Sequence, residues 1–187
     1  MIDFTESIDD YFATLKLVLD NMNRDEISVL INLLLQARDN GRHIFIMGNG
    51  GSASTASHSV CDFNKGLSYG KESRFKLICL NDSLATLSAY SNDVSYDIAF
   101  MEQLKNFLEP KDIVIGISGS GNSKNILLAM EYAHEMGAVT VGITGYDGGK
   151  LKKVADYSVN ANINDMQISE DIHLILNHLC MKIINRM

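Results

Sequence analysis

From residue 43 onward, short apolar runs alternate with stretches of helical periodicity, and this alternation constrains the fold more than any other feature. Five runs predict strands at residues 43–47, 76–80, 112–117, 139–144 and 157–159. Helical patterns follow at residues 52–64, 83–90, 96–108 and 123–136, and from 168 to the end. Strands that alternate with helices pair in parallel and are covered on both faces. We therefore expect an α/β fold, a three-layer sandwich around a central parallel five-stranded sheet.

Two amphipathic helices are predicted before the first strand. The first spans residues 5–21, and the second runs from about Asp25 to a left-handed stop at Asn40-Gly41. Neither carries an obvious catalytic set, so we expect residues 1–41 to pack on the core or on a partner subunit. No linker or low-complexity tract divides the chain, which predicts one domain over residues 1–187.

Charge and composition narrow the classes of partner. The net charge is −7 and no basic run forms a phosphate-backbone stripe, which argues against a nucleic-acid partner. No apolar run approaches the roughly 20 residues that span a bilayer, and the N-terminus lacks a signal-peptide pattern, so we expect no membrane partner and a cytoplasmic location. Cys61, Cys79 and Cys180 are odd in number and widely spaced, which predicts reduced, buried thiols.

Two predicted strands end in loops rich in glycine and serine, and each loop leads directly into a helix. The loops are Gly48-Asn49-Gly50-Gly51-Ser52 and Ser118-Gly119-Ser120-Gly121-Asn122-Ser123. Glycine lets the backbone approach a ligand closely, while the helix N-terminus offers unpaired N–H groups and partial positive charge. Phosphate binds well in such surroundings. The pair of loops therefore predicts a site for a phosphorylated small molecule.

Other phosphate-binding motifs fit less well. The chain has no G-x-x-x-x-G-K-[ST] sequence, which argues against a P-loop nucleotidase. The first loop matches the dinucleotide pattern G-x-G-x-x-G only if Ser52 or Ala53 replaces its last glycine. The acidic residue that this pattern needs about 20 positions later is also missing, because Asp82 comes 34 positions after Gly48. A dinucleotide site is the weaker interpretation.

A histidine and a carboxylate recur on two of the predicted helices. His58 and Asp62 are four residues apart and share one face. The last helix carries Glu170, His173 and His178, and Glu170 and His178 lie about 80° apart around it, so both can point to one side. Each could simply be a solvated or hydrogen-bonded polar residue. Their recurrence on two helices favours acid–base or metal chemistry.

With a third loop, Thr144-Gly145-Tyr146-Asp147-Gly148-Gly149-Lys150, the first two resemble the sugar isomerase (SIS) domain family. Within it, they are most similar to the phosphoheptose (sedoheptulose 7-phosphate) isomerase group. The resemblance covers nearly the whole chain. It implies a flavodoxin-like fold, a homotetramer with active sites between subunits, and a role in supplying heptose for lipopolysaccharide or capsule.

The resemblance also implies a catalytic and metal-binding quartet, which in the family is His, Glu, Gln and His. His58 and His178 match its first and last members, whereas Asp62 stands in place of Glu and Glu170 in place of Gln. Withdrawing a carboxylate by one methylene, about 1.5 Å, can slow catalysis strongly. A His/Asp/Glu/His set remains competent for Zn²⁺. These four residues are the predicted metal ligands.

The family's substrate-binding positions carry over residue by residue. Asn49, Gly50, Gly51 and Ser52 match the loop that contacts the sugar, and Asn92-Asp93 matches a substrate-binding pair. The phosphate-binding positions are matched by Ser118, Gly119, Ser120 and Ser123, where Gly119 replaces a usual threonine and so removes one hydroxyl.

The resemblance implies aldose–ketose isomerisation of sedoheptulose 7-phosphate to D-glycero-D-manno-heptose 7-phosphate. Such a reaction needs a base for a carbon-bound proton, an acid for the carbonyl oxygen and stabilisation of the oxyanion of an enediol. We expect Asp62 or Glu170 to act as the base, His178 as its acid–base partner, and a divalent metal or Asn49 as electrophile. The alternative is a non-catalytic SIS protein that binds a phosphosugar or a protein partner.

Overall fold

A five-stranded parallel sheet forms the centre of the structure, a computed structural model that describes residues 1–187. The strands follow the order β2-β1-β3-β4-β5 across the sheet. Their bounds are β1 His43–Gly48, β2 Lys76–Cys79, β3 Ile113–Ser118, β4 Val139–Thr144 and β5 Tyr157–Asn160. This order reverses direction between β1 and β3, and ligands gather at such a switch point beyond the carboxyl ends of the strands. The predicted fold class is confirmed.

Eight α-helices flank the sheet: α1 Thr5–Asn21, α2 Arg24–Asp39, α3 Gly51–Cys61, α4 Leu84–Asp93, α5 Ala99–Phe107, α6 Lys124–Glu135, α7 Leu151–Val154 and α8 Met166–Ile184. The four-residue α7 was not predicted, because one turn is too short to show helical periodicity. The predicted helix at 52–64 ends as an α-helix at Cys61 and widens into a π-helical turn over Asp62–Leu67. None of these helices is both long and apolar enough to cross a membrane.

The sheet is buried on both faces, which explains why its strands are continuous apolar runs. Ile44 and Ile46 point into a core cluster shared with α2, α3 and α8. Phe45 and Met47, the alternate residues of β1, point into a second cluster with α5 and α6. The helices on the first face bring α3 and α8 side by side above the sheet.

The two N-terminal helices differ in how many of their side chains are buried. Helix α2 buries Ile27, Leu30 and Leu34 among others, whereas Val18 is the one buried residue of α1. Tyr11 ties α1 to α8, because its hydroxyl donates to Asp171 Oδ2 at 2.6 Å, and this hydrogen bond raises the pKa of Tyr11 to about 12. The rest of α1 leaves an apolar face uncovered.

The cysteines are free, but they do not share one environment. Cys79 and Cys180 are buried as expected, and burial raises the pKa of each thiol to about 12. Cys61 is exposed, so the prediction that it is buried is wrong. The face of α3 that turns inward carries Ser52, Thr55, Ala56 and Ser59, and Cys61 lies off that face.

His173 on α8 is buried in the core without a hydrogen-bond partner. Its side chain is 2% exposed and neither ring nitrogen has a partner in the protein. Burial lowers the pKa of His173 below its ordinary value of 6.5. The nearby backbone of Thr144 raises this pKa by a smaller amount, although it is not placed to form a hydrogen bond with either ring nitrogen. The folded state therefore holds this imidazole in its neutral form.

Acid should weaken the fold through His173. Because its pKa is lower in the folded state, the unfolded chain takes up the proton first as the pH falls below 6.5, and the free energy of unfolding falls with it. One such proton changes that free energy by at most about 1.4 kcal/mol per pH unit. Urea unfolding at pH 7.5 and 5.5 should show a smaller loss for His173→Gln than for the wild type. The exposed-site variant His134→Gln should not reduce the loss, and an unchanged loss in His173→Gln would contradict the account.

Candidate active site

The first glycine loop joins β1 to α3 and is held by a side chain from the turn that follows the neighbouring strand β2. Gly48 N–H donates to Asn81 Oδ1 at 3.2 Å, and Asn81 Nδ2 donates back to the Gly48 carbonyl at 2.9 Å. Gly50 precedes α3 with φ of 56°, a left-handed conformation that favours glycine. The loop is therefore fixed at both ends before any ligand binds. Sequence reasoning missed Asn81, because only the strand pairing brings it beside Gly48.

Asn49 is held in the same loop by an amide pair with Asn125 of α6. Asn125 Nδ2 donates to Asn49 Oδ1 at 2.9 Å, and Asn49 Nδ2 donates to Asn125 Oδ1 at 3.0 Å. The Tyr96 hydroxyl also donates to Asn49 Oδ1. Neither Asn125 nor Tyr96 was predicted as a site residue, since each reaches Asn49 from a distant part of the chain. These bonds join the first loop to the start of α6.

The second glycine loop joins β3 to α6 and folds back on its own serines. Ser118 Oγ lies 3.2 Å from Ser123 Oγ and accepts from Gly121 N–H at 3.1 Å. Gly121 has a φ of 65°, and a Cβ there would collide with the Gly148 carbonyl. Gly145 N–H donates to the Gly119 carbonyl at 2.9 Å. The third loop thus braces the second, which gives the Thr144–Lys150 motif a structural role.

A cavity of about 300 Å³ lies between the first two loops. The N-termini of α3 and α6 both begin at its edge, so two helix dipoles favour an anion there, and the first turn of α6 adds backbone N–H donors. The cavity is lined by Asn49, Gly50, Gly51, Ser52, Ile117, Ser118, Gly119, Ser120, Ser123, Met166 and Glu170. The structure therefore brings together the predicted residues of both loops.

Asn92 and Asp93 lie outside this cavity. They are the last two residues of α4, both are exposed, and Asn92 Nδ2 donates to Asp93 Oδ1 at 2.8 Å. Within one chain the structure does not bring this pair to the two loops. Their assignment to substrate binding stays a prediction from the family resemblance.

His58, Asp62 and His178 form a compact group, which we call the trio. His58 Nε2 lies 3.0 Å from His178 Nε2, and Asp62 Oδ2 lies 3.3 Å from the first nitrogen and 3.6 Å from the second. The histidine side chains are about half exposed, whereas Asp62 is 15% exposed. The trio is thus open to an entering molecule on its histidine side.

Glu170, the fourth residue of the predicted quartet, lies apart from the trio. Its carboxylate contacts Gly51 at the start of α3 and lines the cavity between the loops. Glu170 and His178 are eight residues apart, about 12 Å along α8, and α3 runs beside that helix. The structure therefore divides the predicted quartet, with Glu170 at the first loop and the other three residues two helical turns further on.

The trio has the chemistry and spacing of a zinc site. Tetrahedral Zn²⁺ holds nitrogen and oxygen ligands at 2.0–2.1 Å, which places them about 3.3 Å from one another. The three separations in the trio are 3.0, 3.3 and 3.6 Å. Two imidazoles and one carboxylate with a position left open are typical of catalytic rather than structural zinc sites. These residues fit the metal that the sequence predicted.

We expect the trio to bind Zn²⁺ and His58→Ala to weaken that binding more than about 100-fold, because one of three ligands is lost. Competition with a chelator measures the affinity. His134→Ala removes a surface histidine far from the trio and should leave the affinity unchanged. Equal affinity in His58→Ala and the wild type would exclude this zinc site.

Comparisons with known proteins find one family over most of the chain. The family model for the SIS domain matches residues 10–145. A probable phosphoheptose isomerase of Thermoplasma acidophilum is 33% identical over 165 residues, 88% of this chain and 90% of that protein. The phosphoheptose isomerase of Clostridium acetobutylicum is 30% identical over 91% of this chain and 87% of its own length.

Solved structures place the whole fold in the same group. The structure of phosphoheptose isomerase GmhA from Neisseria gonorrhoeae aligns over 99% of this chain and 100% of its own, with a TM-score of 0.90 and 26% identity. The match extends over all three layers and both N-terminal helices. The chain belongs to the SIS domain family, in the group of the phosphoheptose isomerases.

Proposed function

We propose that the chain is a phosphosugar aldose–ketose isomerase that converts sedoheptulose 7-phosphate to D-glycero-D-manno-heptose 7-phosphate through an enediol. One observation carries the proposal: a single chain holds both an anion-binding cavity and, beside it along α3, an acid–base trio. The group to which the chain belongs supports isomerase chemistry on a phosphosugar.

The phosphate of the substrate would lie in the second loop. The hydroxyls of Ser118, Ser120 and Ser123 line the cavity, and the first turn of α6 supplies unpaired N–H groups. This arrangement binds phosphate without a cationic side chain, which agrees with the acidic balance of the chain. The second loop therefore serves as the anchor, away from the reacting carbons.

The first loop lines the cavity beside the second, so its distance from the trio gives the scale of ligand that could reach from the cavity to the trio. Gly51 and His58 are seven residues apart on α3, which is about 10 Å along the helix. An extended seven-carbon chain with its terminal phosphate spans about 9 Å, taking three bonds as about 3.5 Å. A phosphate anchored near the loops can then leave C1 and C2 at the trio. Three-carbon sugar phosphates are too short for this.

Proton transfer is assigned to Asp62 and His178. The Asp62 carboxylate would take the proton from the carbon next to the carbonyl. His178, whose Nε2 lies 3.6 Å from Asp62 Oδ2, would carry protons to and from the two oxygens while that nitrogen is not bound to zinc. Glu170 lines the cavity and is better placed to accept hydrogen bonds from sugar hydroxyls. Of the two carboxylates predicted as the base, the geometry favours Asp62.

Zinc would be held by His58, Asp62 and His178, whose spacing fits it. A bound Zn²⁺ would polarise the carbonyl oxygen of the sugar as a Lewis acid. Asn49 is less suited to that task, because its side-chain donor Nδ2, the group that could donate to the carbonyl oxygen, already donates to Asn125 Oδ1.

A homotetramer in the cytoplasm completes the proposal. The apolar face that α1 leaves uncovered supports association with further copies, since Phe4 and Phe12 are 60% and 62% exposed. Asn92 and Asp93 would contribute to substrate binding in that assembly. The three free cysteines agree with a reducing compartment.

Two isosteric substitutions separate the roles of the carboxylates. With Zn²⁺ at a concentration that saturates each variant, so that weaker zinc binding is compensated, Asp62→Asn should lower kcat for sedoheptulose 7-phosphate by about 10²–10⁴-fold, since it removes the proposed base. Glu170→Gln, which introduces the residue usual in the family, should keep kcat within about tenfold. Chromatographic detection of the heptose phosphate measures both rates.

If Glu170→Gln lowered kcat far more than Asp62→Asn, Glu170 would be the base. A wild type that converts no phosphosugar would overturn the isomerase proposal. If such a protein still gained thermal stability from sedoheptulose 7-phosphate, the non-catalytic alternative would be favoured, because a ligand bound only by the folded state raises Tm.

A further inference from the structure

Asn177 makes a hydrogen bond with Asp62, one of the three residues of the trio. Asn177 lies on α8 directly before His178, and its Nδ2 donates to Asp62 Oδ2 at 2.8 Å. We propose that Asn177 is a positioning residue that fixes the Asp62 carboxylate for zinc binding and proton transfer. For the proton-transfer part, this inference rests on the proposed function.

The carboxylate of Asp62 needs such a restraint. The torsion that turns a carboxylate about its last bond has a broad energy minimum, so the side chain alone does not select one orientation. The oxygen that faces both histidines, Oδ2, is also the oxygen that accepts from Asn177. Apart from the two histidines, Asn177 is the sole hydrogen-bonding or charged partner of this carboxylate within the chain.

The local backbone fixes the position of Asp62 but not the direction of its carboxylate. Asp62 lies where α3 ends and the π-helical turn Asp62–Leu67 begins, and its backbone N–H still donates to the His58 carbonyl. Helix α8 packs on both segments and supplies Asn177 from outside them. The bond between Asn177 and Asp62 therefore fixes the carboxylate relative to α8, the helix that also carries His178.

The chemistry of asparagine suits this task. Its amide is neutral and donates a hydrogen bond without adding charge to the trio. Asn177 and His178 are neighbours in a helix and so point about 100° apart, which lets one hold the carboxylate while the other meets His58. Residues that orient metal ligands in this way typically contribute 10–100-fold to metal affinity or activity.

The experiment compares Asn177→Ala with Asn185→Ala, which changes an exposed asparagine directly after the last residue of the same helix. We expect Asn177→Ala to weaken Zn²⁺ binding about 10–100-fold in chelator competition, and to lower kcat for sedoheptulose 7-phosphate with KM nearly unchanged. Asn185→Ala should match the wild type in both. Circular dichroism melts verify that each variant is folded.

A double-mutant cycle tests whether Asn177 acts through Asp62. In an Asp62→Ala background, Asn177→Ala should change Zn²⁺ affinity less than twofold, because the group it positions is absent. A folded Asn177→Ala protein with wild-type Zn²⁺ affinity would overturn the inference, as would a full loss that persists without Asp62.

The zinc measurement also keeps this inference apart from the proposed function. If the wild type converts no phosphosugar yet Asn177→Ala weakens Zn²⁺ binding tenfold or more, the positioning role stands and the isomerase proposal fails. If the wild type is active and Asn177→Ala matches it in affinity and kcat, the positioning role fails alone.

Discussion

The packing of α8 against α3 is the contact on which the site depends. Both helices lie on one face of the sheet, and their shared surface pairs Glu170 with Gly51 at one level and His178 with His58 two turns further on. Gly51 makes the upper contact possible, because a Cβ there would collide with the Glu170 carboxylate. A shift of one helix along the other would separate the histidines and move Glu170 away from Gly51. The core beneath, which includes Ile168, Ile172 and Leu176, is therefore also what aligns the site.

The loops themselves are held by the protein rather than by a ligand. Asn81 bonds both backbone groups of Gly48, Asn125 pairs with Asn49, and the third loop braces Gly119 and Gly121. Donors aimed into the cavity are thus fixed in advance, so binding a phosphate costs little reorganisation. In contrast, the two histidines of the trio are about half exposed, as a site that must admit and release a sugar requires. An extended ligand fits this arrangement, because the fixed loops can hold its phosphate while its other end reaches the accessible histidines.

The sequence predicted the sheet well, because strands buried on both faces read as apolar runs and glycine-rich loops mark their ends. It also predicted that His58 and Asp62 share a face, since that follows from helical periodicity alone. The family resemblance, rather than periodicity, grouped Glu170 with the trio, whereas in the structure its carboxylate lies at the first loop. Asn81, Asn125 and Asn177 escaped notice because each is an ordinary asparagine whose role arises from a contact distant in sequence. The exposure of Cys61 likewise depends on which face of α3 turns inward.

The central claim is that the trio transfers a proton between C1 and C2 of a sugar whose phosphate lies in the second loop. Isomerisation of sedoheptulose 7-phosphate in D₂O, followed by NMR, tests it most directly. A base that holds the abstracted proton near solvent exchanges it before returning it, so the account predicts deuterium at C2 of the heptose 7-phosphate. Turnover that leaves only hydrogen at C2, or no turnover of this sugar by the zinc-loaded protein, would contradict it.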